Sequence, residues 1–94
     1  MKDAEINLAI AKIEYPNNEL CPCEEHVDIR LGGGDYITVD YCNNWEDIGP
    51  IIEREKIDVI TMGLHKWVAM REVKAEAQTP TKAAALCYLK MKGE

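Results

Sequence analysis

Hydrophobic and polar positions along the chain fall into short periodic blocks. Ile6, Ala9, Ile10 and Ile13 recur at helical spacing, with Ala4, Leu8 and Ala11 beside them. They predict a first helix capped by Asp3 and ending before Pro16, because the residue preceding a proline avoids the α region. The next stretch, YPNNELCPCEEH, has two prolines and no period. Residues 15–25 are therefore expected as a mobile loop. Val27, Ile29 and Leu31 then alternate with Asp28 and Arg30, and Ile37, Val39 and Tyr41 alternate with Tyr36, Thr38 and Asp40. Two strands follow from this period, joined by Gly32-Gly33-Gly34-Asp35, whose glycines supply the positive φ of a hairpin turn. A phosphate cradle at the same glycines lacks both the Lys-Ser/Thr pair and the helix it needs.

Asn43 or Asn44 is expected to cap a second helix, with Trp45, Ile48 and Ile52 on one face. Pro50 removes a hydrogen bond and costs about 3 kcal/mol in a helix interior. A first turn from Trp45, a kink, and an end near Lys56 are the expected outcome. Residues 57–62 form a mostly apolar strand expected to be buried on both faces, and Gly63 turns it. Residues 66–71 make the next strand, with Trp67 and Ala69 on one face and Val68 and Met70 on the other. Val73, Ala75 and Ala77 alternate with Lys74, Glu76 and Gln78. That last strand has a small-residue face on which a helix can lie close.

The final helix starts with Thr79 as N-cap and Pro80 at the first helical position, where the missing N–H costs nothing. It is predicted to reach Met91, with Ala83, Ala84, Cys87 and Met91 on one stripe, Leu86 and Tyr88 widening it, and Lys82, Lys90 and Lys92 on a solvent edge. The order αββαβββα predicts an α+β fold: one domain over residues 1–94, with a mainly antiparallel sheet covered by helices.

Composition changes this picture at one point. The chain has no Phe, so Trp45, Trp67 and the tyrosines are expected to supply aromatic core volume. Trp also dominates binding hot spots, and Trp45, Trp67 and His65 are the interface candidates. No apolar run approaches the roughly 18 residues of a membrane span, and four cysteines without a secretory signal read as thiols of a soluble, cytosolic protein. The net charge is −6, with 14 acids against 5 bases in residues 1–58 and 6 bases against 3 acids in residues 59–94. Such a balance disfavours nucleic acid and suits a basic protein partner. The nucleic-acid alternative would use Lys66, Arg71, Lys74, Lys82, Lys90 and Lys92.

Cys21, Cys23 and His26 are the one cluster with metal-ligand chemistry, and zinc is the metal that thiolate and imidazole suit, with Cys42 as a possible fourth ligand. The C-x-C step lacks the paired C-x-x-C spacing of common structural sites, so reduced thiols and no cofactor are expected. Pairing Cys42 or Cys87 with His65 or His26 would give a nucleophile and base, but nothing in the spacing joins them. Glu24-Glu25, Glu46-Asp47 and Glu53-Glu55 read as solvated faces. No catalytic residues are expected.

Residues 41–53, YCNNWEDIGPIIE, followed by Trp67-Val68-Ala69 and Thr79-Pro80-Thr81-Lys82-Ala83-Ala84-Ala85, resemble a group of small phage and prophage proteins. The shared pattern is an Asn-x-Trp helix entry running into Gly-Pro-Ile-Ile-Glu, a Trp-x-Ala strand and a Pro-x-x-Ala-Ala helix. The group includes the NinX-like proteins and the phage ABA-sandwich domain. The resemblance implies helix-sheet-helix layering and a phage or prophage origin, hence a bacterial host cell. It implies no activity. The expected function is that of a small non-enzymatic phage accessory protein that binds a host or phage protein.

Overall fold

The computed structural model describes residues 1–93. Its elements are α1 (Asp3–Glu14), β1 (Leu20–Pro22), β2 (Val27–Gly32), β3 (Asp35–Val39), α2 (Trp45–Glu55), β4 (Asp58–Gly63), β5 (Lys66–Met70), β6 (Lys74–Ala77) and α3 (Pro80–Met91). The class is α+β, and every element expected from the periodicity forms. The strands divide between two antiparallel three-stranded sheets, an N-terminal one ordered β1-β2-β3 and a C-terminal one ordered β4-β5-β6. The ninth element, β1, lies within the stretch expected as a loop. It is an edge strand pairing Leu20 with Ile29 and Pro22 with Val27, and at an edge the missing N–H of Pro22 costs no ladder bond. Three residues are too few to show a period, which is why the sequence pattern misses β1.

Helix-on-sheet layering occurs twice. α1 packs on β1 and β2, α3 packs on all three strands of the C-terminal sheet, and α1 and α3 meet each other. α3 fits because the face it covers is built from small residues. Ala69 and Ala75 are cross-strand partners, both buried, and Ala83, Ala84, Ala85 and Cys87 of the helix are buried with them. Thr79 caps the helix by accepting from the Lys82 N–H, with Pro80 at its first turn. No helix among the described residues is long and apolar enough to cross a membrane.

Two local expectations change and one holds. Asp3 is the first helical residue rather than the cap of α1. Its carboxylate is drawn away by Lys82, 2.9 Å off, while the Glu5 carboxylate accepts from the Lys2 N–H at the helix start. α2 starts at Trp45 and runs through Pro50, with Asn44 as its cap accepting from the Glu46 N–H, as expected. It ends at Lys56, which adopts left-handed backbone (φ 58°) while Ile57 N–H returns to the Ile52 carbonyl, a helix-terminating arrangement more usual for glycine. β4 is not buried on both faces: Val59 is half-buried on the side that α3 covers, while Ile60 and Met62 are exposed, because among the described residues no second layer lies outside the sheet. The hairpin between β2 and β3 turns at Gly33 and Gly34, both at positive φ, as expected.

Two substitutions test this packing. Ala84→Leu, at a fully buried position within the core, should lower stability by about 1–3 kcal/mol in urea denaturation, since a packed core resists extra methylenes. An unchanged midpoint would mean that α3 is rotated. Pro50→Ala should raise stability by up to about 3 kcal/mol, because Pro50 lies inside a capped helix and leaves the Glu46 carbonyl without its helical donor. A loss of stability would show that the helix begins at Pro50.

Candidate functional site

Three regions carry chemistry or unpartnered surface. The first is the solvent face of the N-terminal sheet. Cys23 and His26 flank the Glu24-Glu25 connection between β1 and β2, which the Cys23 N–H closes on the His26 carbonyl at 2.8 Å. Asp28 follows on β2, opposite Cys21 in the ladder. The structure therefore brings together Cys23, His26 and Asp28, whose ligand atoms all lie within 4.8 Å of one another. His26 Nε2 is 3.6 Å from Asp28 Oδ1, and Cys23 Sγ is 3.9 Å from Asp28 Oδ2. The Thr38 hydroxyl on β3 donates to Asp28 Oδ1 at 2.7 Å. Partial desolvation at the turn, and then the neighbouring Asp28 and Cys21, push the Cys23 thiol up.

Asp28 is the member that the sequence reading left out, and the missing signal was strand register. Cys42, offered as a fourth ligand, is elsewhere: fully buried, with its thiol against the Asp3 carbonyl at 3.9 Å. Burial pushes that thiol up to about 12. Cys87 is also buried, with its Sγ 3.7 Å from the Val73 carbonyl, and burial raises it too. Both are inert as nucleophiles at neutral pH. His26 stands beside Cys23, while His65 sits exposed in the β4–β5 turn with φ 59°.

The second region is the outer face of the C-terminal sheet. Ile60 and Met62 on β4 lie beside Val68 and Met70 on β5, since Ile60 pairs with Val68 and Asp58 with Met70. Ile60 is 45%, Met62 59% and Met70 38% exposed, and Leu64 at the hairpin tip is 89% exposed. Lys66 and Glu76 border this face with a 3.5 Å ion pair. Trp67 points to the opposite, helix-covered side, half-buried against the core. Trp45 does not supply core volume: it opens α2 and is 53% exposed. Its place at the first helical turn, before the buried Ile48 of the same helix, leaves the indole outside the layer that the helix buries.

The third region is a solvent-facing cleft lined by Glu14, Tyr41, Glu46, Asp47 and Arg54 among others. Its chemistry is spent on structure. Both guanidinium Nη atoms of Arg54 donate to the Glu14 carboxylate at 2.9 Å, and the Tyr88 hydroxyl donates to the same carboxylate at 2.6 Å. The Arg54 contact holds Glu14 below the ordinary carboxylate value, partly opposed by burial and helped by Tyr88. Burial raises Asp47, which accepts from the Asp40 N–H at 2.8 Å. Glu46, Asp47 and Glu55 are thus not free solvated charges in every case, since Asp47 and Glu55 both hold partners.

Four of the six basic residues of the C-terminal third are also engaged. Lys66 pairs with Glu76 and Lys82 with Asp3. Lys90 Nζ donates to the Lys74 carbonyl at 2.9 Å, and Lys92 sits over the Tyr88 ring at 5.5 Å.

The Glu14 pair gives a pH signature. Its folded value lies below the ordinary 4.5, so its stabilisation is complete above that pH and is lost as pH falls through the lower folded value. The stability difference between wild type and Glu14→Gln, read from urea midpoints, should stay constant from neutral pH to about 5 and shrink in more acidic buffer. A difference independent of pH would mean that Glu14 acts only by packing.

No curated protein matches the chain. The family described as bacteriophage P22 NinX matches residues 1–92, and a match over nearly the whole chain places the protein in the NinX family.

Proposed function

We propose that this phage accessory protein acts in the cytosol of a bacterial host without catalysis of its own, by binding another protein through the outer face of its C-terminal sheet. The observation that carries this reading is the apolar surface of Ile60, Met62, Leu64 and Met70 on one hairpin of a small acidic chain. Contiguous exposed apolar side chains rimmed by charge are the mark of an interaction surface. Methionine adds adaptability, since its unbranched, polarisable side chain repacks against partners of different shape. His65 at the hairpin tip belongs to the same surface, and Trp45 offers a separate exposed aromatic anchor on α2.

The chemistry of the remaining groups supports binding over turnover. The buried thiols are raised, and the best-placed acid, Glu14, is tied to Arg54 and Tyr88. Nucleic acid is the weaker partner class because the chain is acidic and four of its six C-terminal cations already hold intramolecular partners.

Affinity capture with paired baits tests the proposal. Wild type should retain a host or phage protein that Met62→Asp combined with Leu64→Asp fails to retain, while the two baits melt at the same temperature. Equal retention by both baits removes the hairpin as the interface. Turnover of a small substrate with no protein retained replaces binding by catalysis.

A further inference from the structure

We propose that the solvent face of the N-terminal sheet is a metal site, with Cys23, His26 and Asp28 as ligands and zinc as the ion it fits. Tetrahedral zinc bonds of about 2.0–2.3 Å place nitrogen and oxygen ligands about 3.3 Å apart and sulfur and oxygen ligands about 3.6 Å apart. The observed separations, 3.6 Å between His26 Nε2 and Asp28 Oδ1 and 3.9 Å between Cys23 Sγ and Asp28 Oδ2, are close to those edges. Small side-chain rotations bring three donors onto one ion. A thiolate, an imidazole and a carboxylate together favour zinc over magnesium or calcium, whose sites are built from oxygen alone.

The ligands are held from several directions. Cys23 and His26 lie at the two ends of a two-residue connection closed by a backbone bond of 2.8 Å. Asp28 comes from β2, and its carboxylate is oriented by the Thr38 hydroxyl on β3 at 2.7 Å, the kind of outer partner that fixes a metal-binding carboxylate. Glu24 and Glu25, in the same turn, add negative potential for a cation. Cys21 shares this face, but it lines a cleft with Arg30 and Tyr36 and is not among the three residues whose ligand atoms converge. The fourth position falls to water, because Cys23 is exposed and His26 and Asp28 are only half-buried. A bound ion would fasten the three-residue edge strand β1 to β2 at the turn that joins them.

Titration of the reduced full-length protein with cobalt(II), followed by zinc, tests the assignment. One equivalent of cobalt should produce a thiolate-to-cobalt charge-transfer band in the near ultraviolet, and one equivalent of zinc should abolish it and raise the melting temperature. Cys23→Ser should remove the band. His26→Gln and Asp28→Asn should each weaken binding by about tenfold or more, and Thr38→Val, acting through Asp28, by about 10- to 100-fold. Cys21→Ser should keep the band. All these side chains face solvent or line its edge, so without metal the variants should melt with wild type. Absence of the band at an excess of cobalt, its survival in Cys23→Ser, or its loss in Cys21→Ser would each overturn the assignment.

Discussion

The peptide unit of Cys42 is the point on which the two halves of the molecule depend. It is fully buried in the connection between β3 and α2, where no ladder or helix can satisfy it. Asn7 of α1 accepts its N–H at 3.1 Å, and Thr81 of α3 donates to its carbonyl at 2.5 Å. One helix from each end of the chain therefore grips the middle connection. An unpartnered buried backbone group costs about 1–3 kcal/mol, so these two side chains are fixed by necessity rather than convenience. Asn7 is itself fully buried and spends its amide hydrogens on the Glu25 carbonyl and the Asp40 carboxylate. It thereby anchors the turn after β1 and the end of β3 to the same helix.

A second junction closes the opposite end of the helices. Arg54 of α2, Glu14 of α1 and Tyr88 of α3 bond to one another, and the guanidinium lies 5.9 Å from the Tyr88 ring. The bidentate geometry and the half-buried carboxylate make this pair worth more than an exposed surface ion pair. Between the junctions α3 is packed on several sides, which explains its composition. A helix that touches α1, α2 and an entire sheet has little solvent edge, and alanine lets all of those neighbours approach at once.

Much of this was legible in the chain. The caps at Asn44 and Thr79, the glycine hairpin and the small-residue face of the last strand each follow from a local rule, and local rules need no tertiary knowledge. What stayed hidden depends on contacts distant in sequence. Asn7 carries no local signal within the first helix, and its meaning rests on Cys42, 35 residues away. Asp28 looked like the polar half of an alternating strand, and only its register beside Cys21 brings it to Cys23 and His26. The exposure of β4 was hidden for the opposite reason: apolar residues at both parities suggest two buried faces, but 94 residues provide no second layer to cover the outer one. Trp45 misleads in the same way, since a large apolar side chain implies burial only where a neighbouring layer exists to receive it.

The division of the strands into two small sheets decides where function can reside. A single six-stranded sheet between helix layers would have both faces covered. Here the helices are used up between two sheets, and each sheet keeps a bare outer face. The two faces differ because their strands carry different alternating residues. In the N-terminal sheet the outward positions of β2 and β3 are Asp28, Arg30, Tyr36 and Thr38, a hydrogen-bonding surface with thiol and imidazole at its edge. In the C-terminal sheet the outward positions carry an apolar strip, Ile60, Met70 and the buried Val68 between them, bordered by Asp58, Lys66, Lys74 and Glu76, and water solvates that strip poorly. The polar face is chemically suited to hold an ion, and the apolar face to meet another protein. Because the helices and the Cys42 clamp lie between them, substitutions on either face leave the core bonds intact, so the two surfaces can be altered independently.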